Sequence, residues 1–206
     1  VNYLLKGSFI MDKKLGFEMV QGQVGYRFKN IDLLNQAFTR RSYTEENGGE
    51  NNEILEFIGD KALDLAVVKV LVSKFGNIDD VCMGKPQPLN FKLREMLEMD
   101  RVGDGSKEFF CEYTENELTK IKSRMVEKRT LANRIDELGF AELLLMGKGD
   151  IKNNVAKEMS VMEDLFEAIL GAVTIDCGWD FSVIESVVEA MLVPEDFIES
   201  YTDENY

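Results

Sequence analysis

The segment from residue 53 to 75 constrains the fold most, because it combines a helix-length apolar run with regularly spaced carboxylates. Apolar residues surround almost the whole predicted helix, which predicts a position in the core. The carboxylates lie at i, i+3, i+7 and i+11, within an arc of about 80°: Glu53, Glu56, Asp60 and Asp64. Carboxylates on so narrow a stripe repel one another, and burying one without a partner costs several kcal/mol. A solvent-exposed face is the ordinary explanation, but a bound cation resolves the conflict better.

A second predicted helix, residues 155–176, repeats this pattern. It is strongly apolar and carries Asp164 and Glu167 at i, i+3. Glu163 lies about 100° away from Asp164, so we expect it to face solvent. Two buried helices that each offer an acidic pair can converge on one hard metal ion. Oxygen ligands without His or Cys favour Mg²⁺ or Mn²⁺ over zinc.

Composition excludes several classes of function. The chain contains no histidine, so Cys–His and Ser–His catalysis within it is excluded. Three cysteines at irregular spacing predict neither a disulfide framework nor a zinc site: Cys82, Cys111 and Cys177. The N-terminus is a poor secretory signal and no apolar run is long enough to span a membrane, so we expect a cytoplasmic protein. The net charge of −14 opposes nucleic-acid binding by the chain as a whole.

Helical periodicity dominates the chain and no period-two pattern occurs, which predicts an all-α fold. Besides the two acidic helices, the sequence predicts a helix from Asn30 or Asp32 to Phe38, a helix at 115–138 with a Thr114–Glu117 capping box, a short helix at 141–146 and a helix at 181–191. Loops are predicted at 45–52, which is polar, and at 147–154. Residues 77–113 are irregular, with one helical pattern at 89–97. We divide the chain into an N-terminal extension (1–22), one domain (23–193) and an acidic tail (194–206).

Several motifs resemble those of the ribonuclease III family. Residues 52–63 read NEILEFIGDKAL, which closely resembles the family signature N-E-x-L-E-F-L-G-D-x-x-L. Residues 163–172 read EDLFEAILGA, which is similar to the family's A-D-x-F-E-A-L-I-G-A. Residues 33–43 look like a further family block, and two weaker matches occur at 129–132 and 144–149. The resemblance covers residues 23–190 and implies the all-α ribonuclease III-type endonuclease domain fold.

The resemblance also implies roles for individual residues. The family's metal-binding carboxylates correspond to Glu56, Asp60, Asp164 and Glu167, and we expect Asp60 and Glu167 to be catalytic. Glu53 and Glu115 match auxiliary acidic positions of the family. Phe57 matches an aromatic residue that docks across the family's dimer interface, although an ordinary core phenylalanine is the alternative. Asp64 matches no catalytic position.

The implied activity is Mg²⁺-dependent hydrolysis of double-stranded RNA by a homodimer, as in RNA processing, with Mn²⁺ as a substitute cofactor. It leaves 5′-phosphate and 3′-hydroxyl ends. Candidate RNA contacts lie at i, i+4 and i+8 on the predicted helix 115–138: Lys120, Arg124 and Lys128. A mixed-charge solvated face explains these residues equally well. Two other functions stay open: a non-catalytic ribonuclease III-like module that binds RNA and dimerises, and an all-α Mg²⁺-dependent nucleotide pyrophosphohydrolase.

Four features depart from the family pattern. Arg40 stands where histidine is usual, and Glu163 replaces a small residue before Asp164. The segment 77–113 is longer than in typical bacterial members, and the 27 residues after Trp179 are too few for the double-stranded-RNA-binding domain that many members append. None of these departures removes a predicted metal ligand. Together with the acidic net charge, they predict weak RNA binding that salt weakens further.

Overall fold

The computed structural model describes residues 13–77, 109–194 and 197–198. Within them the chain forms nine α-helices and no strand: α1 (Lys13–Val24), α2 (Ile31–Ala37), α3 (Arg41–Asn47), α4 (Glu53–Phe75), α5 (Glu115–Met125), α6 (Lys128–Leu138), α7 (Lys148–Lys152), α8 (Met159–Asp176) and α9 (Phe181–Leu192). Short 3-10 turns cover Phe140–Leu143 and Val155–Lys157. The predicted all-α class is confirmed. The predicted helical pattern at 89–97 lies outside the described residues, as do residues 195, 196 and 199–206 of the predicted tail at 194–206. Ile198, within that predicted tail, is buried in the core.

Helix α8 forms the centre of the core. From Val161 to Thr174 every residue is buried except Glu163, Asp164 and Glu167. Helices α4, α6 and α2 pack around it. The three exceptions are the only carboxylates in this stretch, so its acidic residues all lie where the packing of α8 is open.

Two glycines allow α4 and α8 to cross at backbone contact. A Cβ atom on Gly59 would lie 1.8 Å from the carbonyl oxygen of Glu167. A Cβ atom on Gly171 would lie 1.9 Å from the carbonyl oxygen of Leu55. No side chain fits at either position without separating the helices, since packed interiors leave no spare volume. This crossing fixes the relative position of the two acidic helices.

Only one side of α4 is buried, so the prediction that the whole helix lies in the core is wrong. The inner side contacts α8 through residues such as Leu55, Leu63 and Val67. Four large apolar residues on the outer side are 41% to 66% exposed: Ile54, Phe57, Leu65 and Val68. They lie within an arc of about 80°, directly beside the acidic stripe. The apolar pattern of α4 therefore extends beyond the face that lies in the core.

The predicted single helix at 115–138 is wrong, because the chain leaves helical geometry between α5 and α6. Glu127 is extended, with φ −69° and ψ 146°. The Thr130 hydroxyl donates a hydrogen bond to the carbonyl oxygen of Arg124 at 2.8 Å. A side chain that bonds the backbone in this way offers it an alternative to the helix. The segment has neither glycine nor proline, so its sequence gave no sign of a break.

Other predicted boundaries have mixed outcomes. The limits of α4 and the Thr114–Glu117 capping box are confirmed, as is the Asn30 cap, whose side chain accepts from the amide of Asp32. The loops predicted at 45–52 and 147–154 are wrong in part, because α3 extends to Asn47 and α7 lies within the second. The helix predicted at 141–146 is instead the 3-10 turn at Phe140–Leu143.

Helix α1 crosses the boundary that we placed between residues 22 and 23. Its Phe17, Val20 and Val24 side chains are buried. The rings of Phe17 and Phe38 pack with their centroids 5.5 Å apart. Residues 13–22 therefore pack with the helical core rather than as a loose extension. Among the described residues, no helix is long and apolar enough to cross a bilayer.

Candidate metal centre

Four carboxylates lie where α4 crosses α8, and all four are partly buried. Glu56 and Asp60 are one turn apart on α4, and Asp164 and Glu167 are one turn apart on α8. Gly59 precedes Asp60 directly and packs against the backbone of Glu167. The helix crossing therefore brings both predicted acidic pairs to one place.

Glu167 lies in the most unfavourable surroundings of the four for a negative charge. Burial raises its pKa, and neighbouring carboxylates raise it further, to about 8. These neighbours are Asp60, Glu163, Glu56 and Asp164. Lys61 and Lys128 also feel the charge of Glu167, but each is paired with another carboxylate. A further cation close to Glu167 would lower this pKa and stabilise the ionised carboxylate.

Glu56 and Asp164 share these surroundings. Burial raises the pKa of Glu56, and the charge of Asp164 raises it further. Burial also raises the pKa of Asp164, while the Arg40 guanidinium opposes that rise. Arg40 Nη1 lies 3.8 Å from Asp164 Oδ2. Three of the four carboxylates therefore have raised pKa values, as expected when like charges are held together in a partly buried place.

Arg40 is held at the site by contacts that the sequence did not indicate. Its Nε lies 3.2 Å from Asp150 Oδ2 on α7. The Ser42 hydroxyl donates to the same oxygen at 2.6 Å, and the amide of Gly147 donates to the Ser42 hydroxyl at 3.1 Å. The sequence marked Arg40 only as a departure from a motif, and it missed Asp150 because α7 was expected to be a loop.

Hard divalent cations prefer oxygen ligands, so the four carboxylates are suitable ligands for such a cation. In the present side-chain arrangement, no three Asp, Glu, Cys or His residues among those described converge closely enough to hold a metal ion. Protein cations contact two of the carboxylates instead. Lys61 Nζ lies 2.6 Å from Asp60 Oδ2, and Arg40 contacts Asp164. Metal binding by these four carboxylates therefore requires their side chains to rearrange.

Of the two auxiliary acidic candidates, Glu53 lies beside the four carboxylates and Glu115 lies away from them. Glu53 adds to the charge that Glu56 feels, and its Oε1 lies 3.5 Å from Arg41 Nη1. Glu115 is exposed on the first turn of α5, where it accepts a hydrogen bond from the Thr119 hydroxyl at 3.0 Å. Within the described residues, the structure shows no contact between Glu115 and the four carboxylates.

Asp64 and Glu163 each have a lysine partner on a neighbouring helix. Asp64 Oδ1 lies 2.5 Å from Lys122 Nζ, which joins α4 to α5. Glu163 forms an ion pair with Lys128, the first residue of α6. The Glu163 side chain is only 21% exposed, so the prediction that it faces solvent is wrong. Because α8 is packed on several sides, the ion pair with Lys128, and not the helical wheel alone, determines where the Glu163 side chain lies.

The predicted RNA-binding residues do not share one helix. Lys120 and Arg124 are exposed on α5, whereas Lys128 begins α6. The i, i+8 relation between Lys120 and Lys128 therefore does not place them on a common face. Lys128 nevertheless lies close to the carboxylates, since it is paired with Glu163 and feels the charge of Asp164 and Glu167.

The chain is similar to proteins of one known family. A family described as ribonuclease-III-like matches residues 30–195. The chain is 47% identical over 184 residues to Ribonuclease 3 of Roseburia hominis, which covers 89% of this chain and 48% of that protein. It is 43% identical over 179 residues to Ribonuclease 3 of Treponema succinifaciens, covering 86% and 41%. The chain thus spans about half the length of the curated relatives it matches.

The fold is also similar to a solved structure, the nuclease domain of ribonuclease III from Campylobacter jejuni. The TM-score is 0.60 at 24% identity, covering 85% of this chain and 97% of that one. That structure is described as having structural flexibility in a region involved in dimer formation. From the family match over most of its length and the relatives above 40% identity, the chain belongs to the ribonuclease-III-like family.

Proposed function

We propose that this chain is a Mg²⁺-dependent endoribonuclease domain that hydrolyses phosphodiester bonds of double-stranded RNA, with Mn²⁺ as a substitute cofactor. The observation that carries the proposal is the group formed by Glu56, Asp60, Asp164 and Glu167 at the glycine crossing of α4 and α8. Family membership supports it, because the relatives are ribonucleases. The products we expect have 5′-phosphate and 3′-hydroxyl ends.

The four carboxylates would hold the divalent cation, and Asp60 and Glu167 are the proposed catalytic pair. When bound there, the cation would activate water and stabilise negative charge on the departing oxygen. The protein contributes a rigid frame, because the helix backbones touch at Gly59 and Gly171. Arg40 offsets part of the negative charge beside Asp164.

RNA contacts must come from local cations, because the net charge of −14 repels phosphate at long range. Lys120, Arg124 and Lys128 are the proposed contacts, and Lys128 lies nearest to the carboxylates. Few phosphate contacts predict weak binding, with a loss of roughly 0.9 log unit in affinity per log unit of salt for each contact, by analogy with B-DNA.

We further propose that two copies pair through the outer face of α4. Ile54 and Phe57 are each 66% exposed, and Leu65 is 59% exposed. A monomer rarely leaves a contiguous row of large apolar side chains open to water. The exposure of Phe57 argues against its being an ordinary core phenylalanine. A flexible dimer region in the similar Campylobacter jejuni domain is consistent with this proposal.

Cleavage assays on labelled duplex RNA, single-stranded RNA and a nucleoside triphosphate, each with and without Mg²⁺, test the activity. We expect cleavage of the duplex alone, and only with Mg²⁺. Glu167→Gln should lower the rate at least about a hundredfold, since losing a metal ligand exceeds the effect of losing an outer-shell partner. Glu185→Gln is the matched control, because Glu185 is partly buried and paired with Lys69 away from the site.

The same assays separate the alternatives. RNA binding without cleavage would favour a non-catalytic module, and hydrolysis of the triphosphate alone would favour a nucleotide pyrophosphohydrolase. The retained carboxylates on both helices oppose the first alternative. Full cleavage by Glu167→Gln would remove Glu167 from the proposed site.

A further inference from the structure

Glu163 is a fifth carboxylate at the metal centre, and the proposed mechanism does not use it. It precedes Asp164 on α8 and is only 21% exposed. Its charge contributes to the raised pKa values of Glu56, Asp164 and Glu167. Glu163 thus acts electrostatically on three of the four proposed ligands without belonging to their set.

The partner of Glu163 is a cation that also faces outward. Lys128 Nζ contacts Glu163 Oε2, while the Lys128 side chain is 52% exposed. The Lys ammonium is a point charge on a flexible stem, so an exposed one can readily exchange one oxygen partner for another. Lys122, by contrast, is 28% exposed beside Asp64. Lys128 is therefore the better placed of these two lysines to leave its carboxylate for a phosphate.

We infer that the Glu163–Lys128 pair sets a balance between metal binding and RNA binding at this site. The carboxylate of Glu163 adds negative charge beside the four ligands and so strengthens the binding of a divalent cation. By holding the Lys128 ammonium, the same carboxylate competes with an RNA phosphate and so weakens RNA binding. This inference rests on the proposed function, because it assumes that metal and RNA bind here.

Removing only the charge of Glu163 should move the two affinities in opposite directions. Glu163→Gln keeps the size of the side chain, and we expect Mn²⁺ binding, measured by electron paramagnetic resonance without RNA, to weaken about fivefold. Binding of a fluorescent RNA duplex in EDTA, where cleavage cannot interfere, should tighten about fivefold, the order expected for one charge at short range.

Glu185→Gln is the matched control for this experiment. Glu185 is 17% exposed and pairs with Lys69, which joins α9 to α4 outside the metal centre. Its removal changes the net charge of the chain by the same amount. We therefore expect both affinities of Glu185→Gln to equal those of the wild type, which isolates the local effect from the overall charge.

Lys128→Met tests whether the gain in RNA affinity passes through the lysine. In that background, Glu163→Gln should still weaken Mn²⁺ binding but should tighten RNA binding much less. If Glu163→Gln behaves like Glu185→Gln in both assays, or if the RNA gain persists in full without Lys128, the inference is overturned while the proposed function stands. Wild-type protein that binds neither Mn²⁺ nor duplex RNA would instead overturn the proposed function, and this inference with it.

Discussion

Helix α8 carries two carboxylates with opposite surroundings, Glu167 near its middle and Asp176 at its C-terminal end. Asp176 accepts hydrogen bonds from the Tyr26 hydroxyl at 2.8 Å and from the amides of Lys29 and Asn30 at 2.7 and 2.8 Å. Burial opposes its charge, but these donors lower its pKa below the usual range. Glu167 instead faces other carboxylates, and its pKa rises to about 8.

On the proposed function, the difference separates a structural carboxylate from a metal-binding one. Asp176 has its partners within the chain and fastens the turn between α1 and α2 to the end of α8. Glu167 has no ion pair among the described residues, and we propose that a bound divalent cation supplies its counter-charge. Acidic residues on one helix therefore differ in role according to where their counter-charges come from.

The largest expected effect comes from breaking the frame that creates the surroundings of Glu167. Gly59→Ala places a Cβ atom against the Glu167 carbonyl, so α4 and α8 must separate. We expect a loss of about 3 kcal/mol in the free energy of unfolding, measured by urea denaturation, together with loss of cleavage. Gly22→Ala is the matched control, because Gly22 is exposed in α1 with open space around it. It should stabilise the chain by about 0.5–1 kcal/mol. Equal effects of the two substitutions would contradict the crossing.

Asp176→Asn tests the second carboxylate of the comparison, the one that has its partners within the chain. The amide cannot accept all three hydrogen bonds, so we expect a loss of about 2 kcal/mol in unfolding free energy at neutral pH. A lowered pKa means that the stabilisation by Asp176 is present above its unfolded pKa and is lost as the pH falls through the lower folded value. The difference in unfolding free energy between wild type and variant should therefore have its full size well above pH 3.8 and should decrease below it. A difference that is independent of pH would contradict this role.

The smallest effect on the stability of one chain is expected for the outer face of α4, opposite the side that contacts α8. Phe57→Ala should change the unfolding free energy of the monomer by less than about 0.5 kcal/mol, because Phe57 is exposed. Self-association, measured by sedimentation, should weaken at least about tenfold if Phe57 anchors the interface. Leu63→Ala, on the buried side of the same helix, should cost about 2–5 kcal/mol instead. Unchanged self-association of Phe57→Ala would contradict the proposed pairing surface.

The sequence predicted the parts of the site that depend on periodicity. Spacing of three and four residues placed Glu56 with Asp60 and Asp164 with Glu167, and the family motifs supported the same pairs. Periodicity did not predict which face of α4 is exposed, since apolar residues have the same chemistry whether or not they lie in the core. The contacts of Arg40 with Asp150 and of Glu163 with Lys128 join segments far apart in sequence. No local pattern encodes such contacts.

The break between α5 and α6 shows a further limit. It depends on a hydrogen bond of the Thr130 hydroxyl that competes with regular helix geometry, and the residue types there are compatible with either outcome. The roles of Gly59 and Gly171 could have been suspected, because glycine inside a helix costs stability unless another backbone approaches closely.

The central claim is that Glu167 lies in a carboxylate group that a divalent cation stabilises. Thermal unfolding of the wild type and of Glu167→Gln, each titrated with Mg²⁺ at a pH above 8 where Glu167 is ionised, tests it most directly. Without Mg²⁺ the variant should be at least as stable as the wild type, because a charge among like charges is gone. With Mg²⁺ at about a hundred times its dissociation constant, the wild type should gain about 2.7 kcal/mol and the variant much less. Equal stabilisation of both proteins by Mg²⁺, or a variant that is less stable without it, would contradict the account.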